Sequence, residues 1–163
     1  MKKYSKEDQR ALALWAADCA KRVLPFFEKA YPKDNRPRKA IEVLHKWIRT
    51  GVFKMEEIRG ASLAAHASAR KAKENSPARF VARAAGQAVA TAHVSQHAFG
   101  AAYYALKSIA AADPLNAEEK VAKEFKWQSR HIAKNLRQEV LDRIIIQKRK
   151  DKIFIKIQKG KDF

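Results

Sequence analysis

A chain of 163 residues that is 47% hydrophobic has room for one domain with a real core, and its composition excludes a disordered polymer. Five glycines and five prolines exclude a collagen-like or loop-rich protein, and the single cysteine, Cys19, excludes an intramolecular disulfide and suits a reducing compartment. A net charge of +18 predicts attraction to acidic partners: nucleic acid, anionic lipid heads or an acidic protein.

The N-terminal stretch MKKYSKEDQRALALWAADCA has the basic start and apolar run of a signal peptide. Glu7, Asp8 and Arg10 interrupt the entry, Asp18 sits in the run, and helical periodicity starts at once, so it reads as the first helix of the domain. Ser5 with Asp8 three residues on resembles a capping box. Leu12, Trp15, Cys19, Val23 and Phe26 step along one face. Pro25 is expected to kink or break this helix, with Phe26–Phe27 packing beyond the break. A turn, YPKDNRPRKA, leads into a second helix, capped by Asp34 or Asn35, with Pro37 in its first turn. Ile41, Leu44, Trp47 and Ile48 form its inward stripe, and Gly51 suits a left-handed C-terminal position. A third helix runs from about Met55 to Lys73, acidic at its start and basic at its end, as the helix dipole favours.

Ser76-Pro77 restarts the chain as cap and first helical turn. From there to Ala112 the pattern fits either one long helix or, preferably, two with a break near Val94–Gln96, Ser95 capping the second. Within it, the 23 residues from Ala84 to Leu106 carry no formally charged side chain, the signature of a segment buried on all sides. Yet they include Gln87, Thr91, His93, Ser95, Gln96 and His97, which in a buried setting need partners. The stretch is long enough to span a bilayer, but its two histidines and two glutamines oppose insertion, and no membrane span is expected. Between Ala61 and Ala112 stand 20 alanines in 52 residues, which lets helix axes approach closely. Asp113-Pro114 ends the run, and Asn116 with Glu119 restarts it. Val121, Phe125, Gln128 and Ile132, then Leu136, Val140, Leu141 and Ile144 after a bend, continue an apolar stripe. Ile153, Ile155 and Ile157 alternate with Phe154, Lys156 and Gln158 at strand period; a lone strand in a helical protein has nothing to pair with. The expectation is an all-α bundle of about six to eight helices around alanine-rich central helices. It comprises one helical domain over residues 1–147 and a basic C-terminal tail over 148–163 with seven Lys and Arg against two Asp. That tail is disordered, packed on the body or available to a partner.

No glycine-rich phosphate loop, GxSxG, CxxC or HExxH is present. His93 and His97 at i, i+4 would share a helix face, a metal-like spacing. Two ligands are too few, however, a third would have to come from His66, Asp18 or Asp34, and a break at Ser95 removes the geometry; no metal and no cofactor are expected. The same imidazoles are either satisfied in a polar layer or part of a pocket. Asp34-x-Arg36-Pro37 places an acid–base pair at a helix entrance, where it pins a loop or recognises a carboxylate. Trp127, between Phe125 and Arg130, is a core aromatic or a base-stacking platform.

The strings WAADCAKRVLPFFE, DNRPRKAIE, AAHASAR, AAGQAVATAHVSQHAFGAAYYALK and FKWQSRHIAKNLRQEVL resemble, in order and spacing, the bacterial helical family of immunity-five-like putative immunity proteins over roughly residues 10–145. The matching positions are Asp18, Asp34, Arg36, Pro37, His66, Arg70, His93, His97, Gly100, Tyr104, Trp127 and Gln128. The resemblance implies an all-helical cytoplasmic protein that is not an enzyme and that neutralises a cognate toxin by binding it. Asp34, Arg36, His66, Arg70, His93, His97, Trp127 and Gln128 are the candidate binding residues. The basic balance and the tail after Asp151 depart from the family. Immunity proteins that mimic nucleic acid are acidic, which this chain is not, so its toxin is expected to present an acidic or apolar surface. Two readings compete with this one. In the first, the basic surface and Lys/Arg-rich tail bind nucleic acid, with a strong salt dependence. In the second, the chain is a small-molecule- or metal-binding enzyme, with Asp34, His66, Arg70, His93 and His97 converging between helices.

Overall fold

The computed structural model describes residues 2–160. Seven α-helices follow one another among them: α1 (Lys6–Ala30), α2 (Arg36–Thr50), α3 (Met55–Lys71), α4 (Ser76–Ala90), α5 (His97–Ala112), α6 (Ala117–His131) and α7 (Lys134–Arg143), with a 3-10 turn at Pro114–Asn116 before α6. An antiparallel hairpin, β1 (Ile144–Arg149) and β2 (Lys152–Ile157), closes the chain. The all-α expectation holds for the body of the protein.

Alanine sets the architecture. Ala65, Ala69, Ala78, Ala82, Ala84, Ala85, Ala88, Ala98, Ala101, Ala102 and Ala105 are all fully buried, so α4 packs closely through methyl groups against α3 on one side and α5 on the other. The bulky core residues lie around them: Leu12, Trp15, Val23 and Phe27 from α1, Leu44 from α2, Phe99 and Leu106 from α5, Val121 from α6. Trp15 packs edge-on to Phe99 at 6.2 Å and donates its indole N–H to the Gln128 carbonyl at 2.8 Å, tying α1, α5 and α6 together. Cys19 is buried in the same wall, and burial pushes its thiol well above the ordinary range; it is a packing residue.

Several local expectations are met. Ser5 Oγ accepts from the Asp8 N–H at 3.0 Å, Gly51 takes the left-handed conformation at φ 67°, and α4 and α5 are separate helices. Others are corrected. Pro25 does not break α1: it faces solvent, and Leu24 and Phe27 on either side are buried and hold the last turn in place. The phenylalanine pair splits, Phe27 into the core and Phe26 toward solvent. The cap of α4 is Asn75, whose side chain accepts from Ala78 N–H at 3.1 Å, and not Ser76. Ser95 does not cap α5. The first N–H groups of that helix bond to backbone carbonyls three residues earlier, from Val94, Ser95 and Gln96, which leaves nothing for a hydroxyl to do. At the next restart Asn116 makes no side-chain cap; Asp113 accepts from the Asn116 N–H instead.

The strand at the C-terminus is real but not alone. Ile144–Arg149, which reads in sequence as the end of a helical stripe, is its partner, with Ile144 opposite Ile157 and Ile146 opposite Ile155. Ile153, Ile155 and Ile157 are half-buried against the body, and the Gln158 N–H reaches the Arg143 carbonyl at 2.7 Å. Of the three fates open to the tail, packing on the body is the one seen through Gly160; residues 161–163 lie outside the described residues. The N-terminus is fastened nearby. Tyr4 Oη donates to Glu139 Oε1 at 2.5 Å and Lys2 Nζ to Oε2 at 2.7 Å, while Arg143 Nε reaches the same carboxylate at 2.8 Å. Burial would raise the Glu139 carboxyl, but these three donors outweigh it and hold it below the usual range.

Candidate functional site

The uncharged stretch is largely interior, and most of its polar groups are paired. Gln9 Nε2 lies 3.1 Å from both the Thr91 and Ala92 carbonyls, Gln96 Nε2 donates to the Lys2 carbonyl at 2.9 Å, and Thr91 Oγ1 donates to the Gln87 carbonyl at 3.3 Å. The Gln9 and Gln96 bonds fasten the link between α4 and α5 to α1 and to the segment before it, the Thr91 bond closes the end of α4, and together they satisfy these polar groups without a ligand.

His66 and His97 are different, because they stand at the rim where α3, α4 and α5 meet solvent. Both are partly buried. His97 Nδ1 is 2.7 Å from Gln87 Oε1. A carboxamide oxygen only accepts, so the imidazole carries its proton on Nδ1 and leaves Nε2 as an acceptor. Gly100 makes room for this pair, since a Cβ there would lie 2.7 Å from Gln87 Oε1. An open cavity of about 400 Å³ adjoins it, lined by Gln87, His97, Tyr103 and Tyr104 with Ile157 and Lys159 from the hairpin side. His66 Nδ1 lies 3.4 Å from the Arg83 guanidinium. Burial, then the charges of Arg83 and Arg70, push its pKa down to about 4, so it is neutral at physiological pH. Burial and His93 lower His97 in the same direction.

Around the two histidines runs a cationic and aromatic surface. Phe80 stacks on Tyr104 at 6.1 Å; Lys107 Nζ sits 4.6 Å from the Phe80 ring and 5.3 Å from the Tyr103 ring; Arg79 covers Phe80 at 5.0 Å. From Ile58 to Ala112 the chain has one carboxylate, Glu74, against seven Lys and Arg. Among the described residues no ion pair involves any of these 55 positions; all eight recorded pairs lie elsewhere. Glu56 and Glu57 in the first turn of α3 are the other carboxylates of these helices, and Glu57 pairs with Lys46, so the unneutralised positive charge of the α3–α5 face lies from Ile58 onward.

The structure thus brings His66, Arg70 and His97 to one surface, together with Arg83, Gln87, Tyr103 and Tyr104. It places the other candidates elsewhere, although the charge of His93 still bears on His97. His93 is exposed in the α4–α5 link and stacks on Phe53 at 6.3 Å, so the shared helix face imagined for His93 and His97 does not form. Among the described residues no three His, Cys, Asp or Glu side chains gather as a metal-binding group would require. Asp34 and Arg36 bind each other in two parallel bonds, Nε–Oδ1 at 2.8 Å and Nη2–Oδ2 at 2.5 Å, with the Arg36 N–H also on Oδ1, so the pair clamps the α1–α2 turn. Hydrogen bonding to Arg36 holds the Asp34 carboxyl below its ordinary value. Trp127 packs at the side of α6, under the Arg22 guanidinium at 3.9 Å and against His131 at 4.1 Å. Gln128 is fully buried, donating to the Ala102 carbonyl at 3.2 Å, with no hydrogen-bond partner for its Oε1 among the described residues.

Sequence reading missed Arg83 and Gln87 as partners of the histidines. The signal was available: Arg83 and Gln87 share a helix face at i, i+4, as do His66 and Arg70, and the charge balance between residues 58 and 112 is lopsided. No helix is long and apolar enough to cross a membrane among the described residues. A family model described as Imm-5 like putative immunity protein matches residues 2–135. No curated protein and no solved structure matches the chain.

Proposed function

The chain belongs to the Imm-5 like putative immunity protein family, and from that premise we propose that it is a non-catalytic binding protein whose α3–α5 face docks on a cognate toxin in the cytoplasm and occludes it. The observation that carries this reading is the unneutralised charge of that face: seven cations and one carboxylate over residues 58–112, none in an ion pair. A surface that leaves its arginines out of ion pairs beside half-buried aromatic rings favours a partner with carboxylates and apolar side chains, since opposite potentials steer encounter and aromatic and arginine anchors dominate interface energy. The neutral His97 and the cavity beside it offer one acceptor and a recess for a partner side chain.

Co-expression with the toxic polypeptide encoded beside its gene tests the proposal. The wild-type chain is expected to restore growth and to co-elute with that polypeptide, and the Arg70→Glu/Arg83→Glu double variant, folded by circular dichroism, to do neither. Full protection by the double variant, or no protection by the wild type, overturns the assignment of this face.

A further inference from the structure

We propose that the outward face of the β1–β2 hairpin is a platform for single-stranded nucleic acid, separate from the α3–α5 face and independent of the partner proposed for it. The pairing register places Ile144, Ile146 and Lys148 with Ile157, Ile155 and Ile153 on one side, and Ile145, Gln147 and Arg149 with Lys156, Phe154 and Lys152 on the other. The first side is attached to the body through its isoleucines and through Lys148, whose Nζ lies 2.6 Å from Glu118 Oε2. The hairpin is thereby a fixed surface on the helical body.

The second side carries Arg149, Lys152 and Lys156 around Phe154 and no carboxylate; the one carboxylate of the hairpin, Asp151, is at its turn. Phe154 is 41% exposed, with Lys152 and Lys156 two positions away on either side and the Arg149 guanidinium 5.9 Å from its ring. Two features of this side work against folding. Arg149 stands directly opposite Lys152, and like charges in a cross-strand pair are destabilising. The Phe154 ring keeps about two-fifths of its surface in water, where burial would stabilise it further. Lysines on an edge hinder strand-to-strand aggregation, which accounts for the charges but not for an open aromatic ring among them. A polyanion supplies a counter-charge that no ion pair provides to these cations among the described residues, and a base stacks on the part of the ring that stays open to water. Bases in a duplex are already stacked on each other, so the geometry selects an unpaired strand. The hairpin also lies beyond residue 135, where the family match ends, and of its strands only the inward Ile157 reaches the cavity beside His97, while Phe154 and its neighbouring cations stand on the opposite side.

Fluorescence anisotropy of the full chain with labelled oligo(dT) and oligo(U) of about twelve nucleotides, within the usual site sizes for such platforms, tests this. Binding is expected at low salt, with a log–log salt slope of about −2 to −3 for three or four phosphate contacts. Phe154→Ala is expected to weaken binding about tenfold and Phe154→Trp to retain it, as stacking requires. Lys152→Glu is expected to weaken binding and flatten the salt slope, whereas Arg70→Glu, the same charge change on the α3–α5 face, leaves it unchanged. A preference between the two oligomers assigns DNA or RNA. Absence of binding at low salt, equal affinity for a duplex of the same length, a Phe154→Ala variant as tight as wild type, or equal losses from Arg70→Glu and Lys152→Glu would each overturn the proposal. Circular dichroism and thermal melting of each variant separate loss of the site from loss of the fold.

Discussion

Gly86 lies beneath the imidazole of His66 so closely that a Cβ there would stand 2.8 Å from both Cε1 and Nε2. The neighbouring Gly86 carbonyl accepts from Ser62 Oγ at 3.0 Å, so α3 and α4 are held at this spacing and neither backbone is free to withdraw. Gly86→Ala is expected to cost about 1–3 kcal/mol, the usual range for overpacking, although alanine is the better helix former. In a His66→Ala background the same substitution should cost little or become stabilising. A double-mutant cycle by urea denaturation measures this coupling, and additive effects would show that the ring does not rest on Gly86.

The half-buried imidazoles give stability a defined pH dependence. The folded-state pKa of His66 is near 4, below the unfolded value of about 6.5. The unfolded chain therefore binds the proton first, and stability falls as pH drops from about 6.5 to about 4, with no contribution above that window. His97 shifts in the same direction. With both rings in partial contact with water, the loss attributable to His66 is expected to be on the order of 1–2 kcal/mol. The check is the difference in urea midpoint between wild type and His66→Gln: the gap should close toward low pH. A gap that is independent of pH would mean that the imidazole titrates normally.

Arg22 links the two halves of the molecule. Its Nε and Nη2 donate to the Glu124 carboxylate at 2.7 and 2.9 Å, and its guanidinium lies over the Trp127 ring. Glu124 is only 7% exposed, so removing its partner strands a charge in the interface between α1 and α6. Arg22→Ala is expected to destabilise by about 2–4 kcal/mol, and Arg22→Lys to recover little because a point charge replaces neither the fork nor the stack. Paired replacement by Arg22→Leu/Glu124→Leu should be milder than either single change. Thermal melting ranks the variants.

If the α3–α5 face steers a partner electrostatically, the association rate should fall with ionic strength and the dissociation rate should barely change. Stopped-flow or biosensor kinetics with the polypeptide that co-elutes in the co-expression test reads both constants. Arg70→Glu is expected to lower the association rate and weaken its salt dependence, whereas Gln128→Met, a buried change of similar volume, should alter neither. A salt-independent association rate would count against steering by this face.

The fold was readable wherever a residue's local preference and its tertiary setting agree. The acid-free and alanine-rich run between residues 84 and 106 announced a buried centre, and the glycine at 51 marked a helix end through a conformation that other residues resist. Pro25 misled because its effect depends on what lies to either side: two core residues keep the last turn of α1 intact. Ser95 misled because backbone carbonyls had already met the need it would serve. Ile144–Ile146 carried no strand alternation to read, being apolar throughout, and became a strand only through pairing with a segment that did alternate. At the site, His66, Arg70 and His97 were named from the sequence, but Gln87 and Arg83 complete the arrangement through contacts across α3, α4 and α5 that no linear spacing records. Asp34 and Arg36 were readable as a pair because they are two residues apart, and the clamp they form is local.

The methyl-to-methyl seams among α3, α4 and α5 restrict how the molecule can evolve. A glycine there removes contact and helix preference together, and a valine has nowhere to place its branches. Substitutions that keep the fold are thereby expected at the exterior, where they touch water and not a neighbouring helix. A lineage pressed by a changing adversary would keep one rigid chassis and redraw only its outer surface.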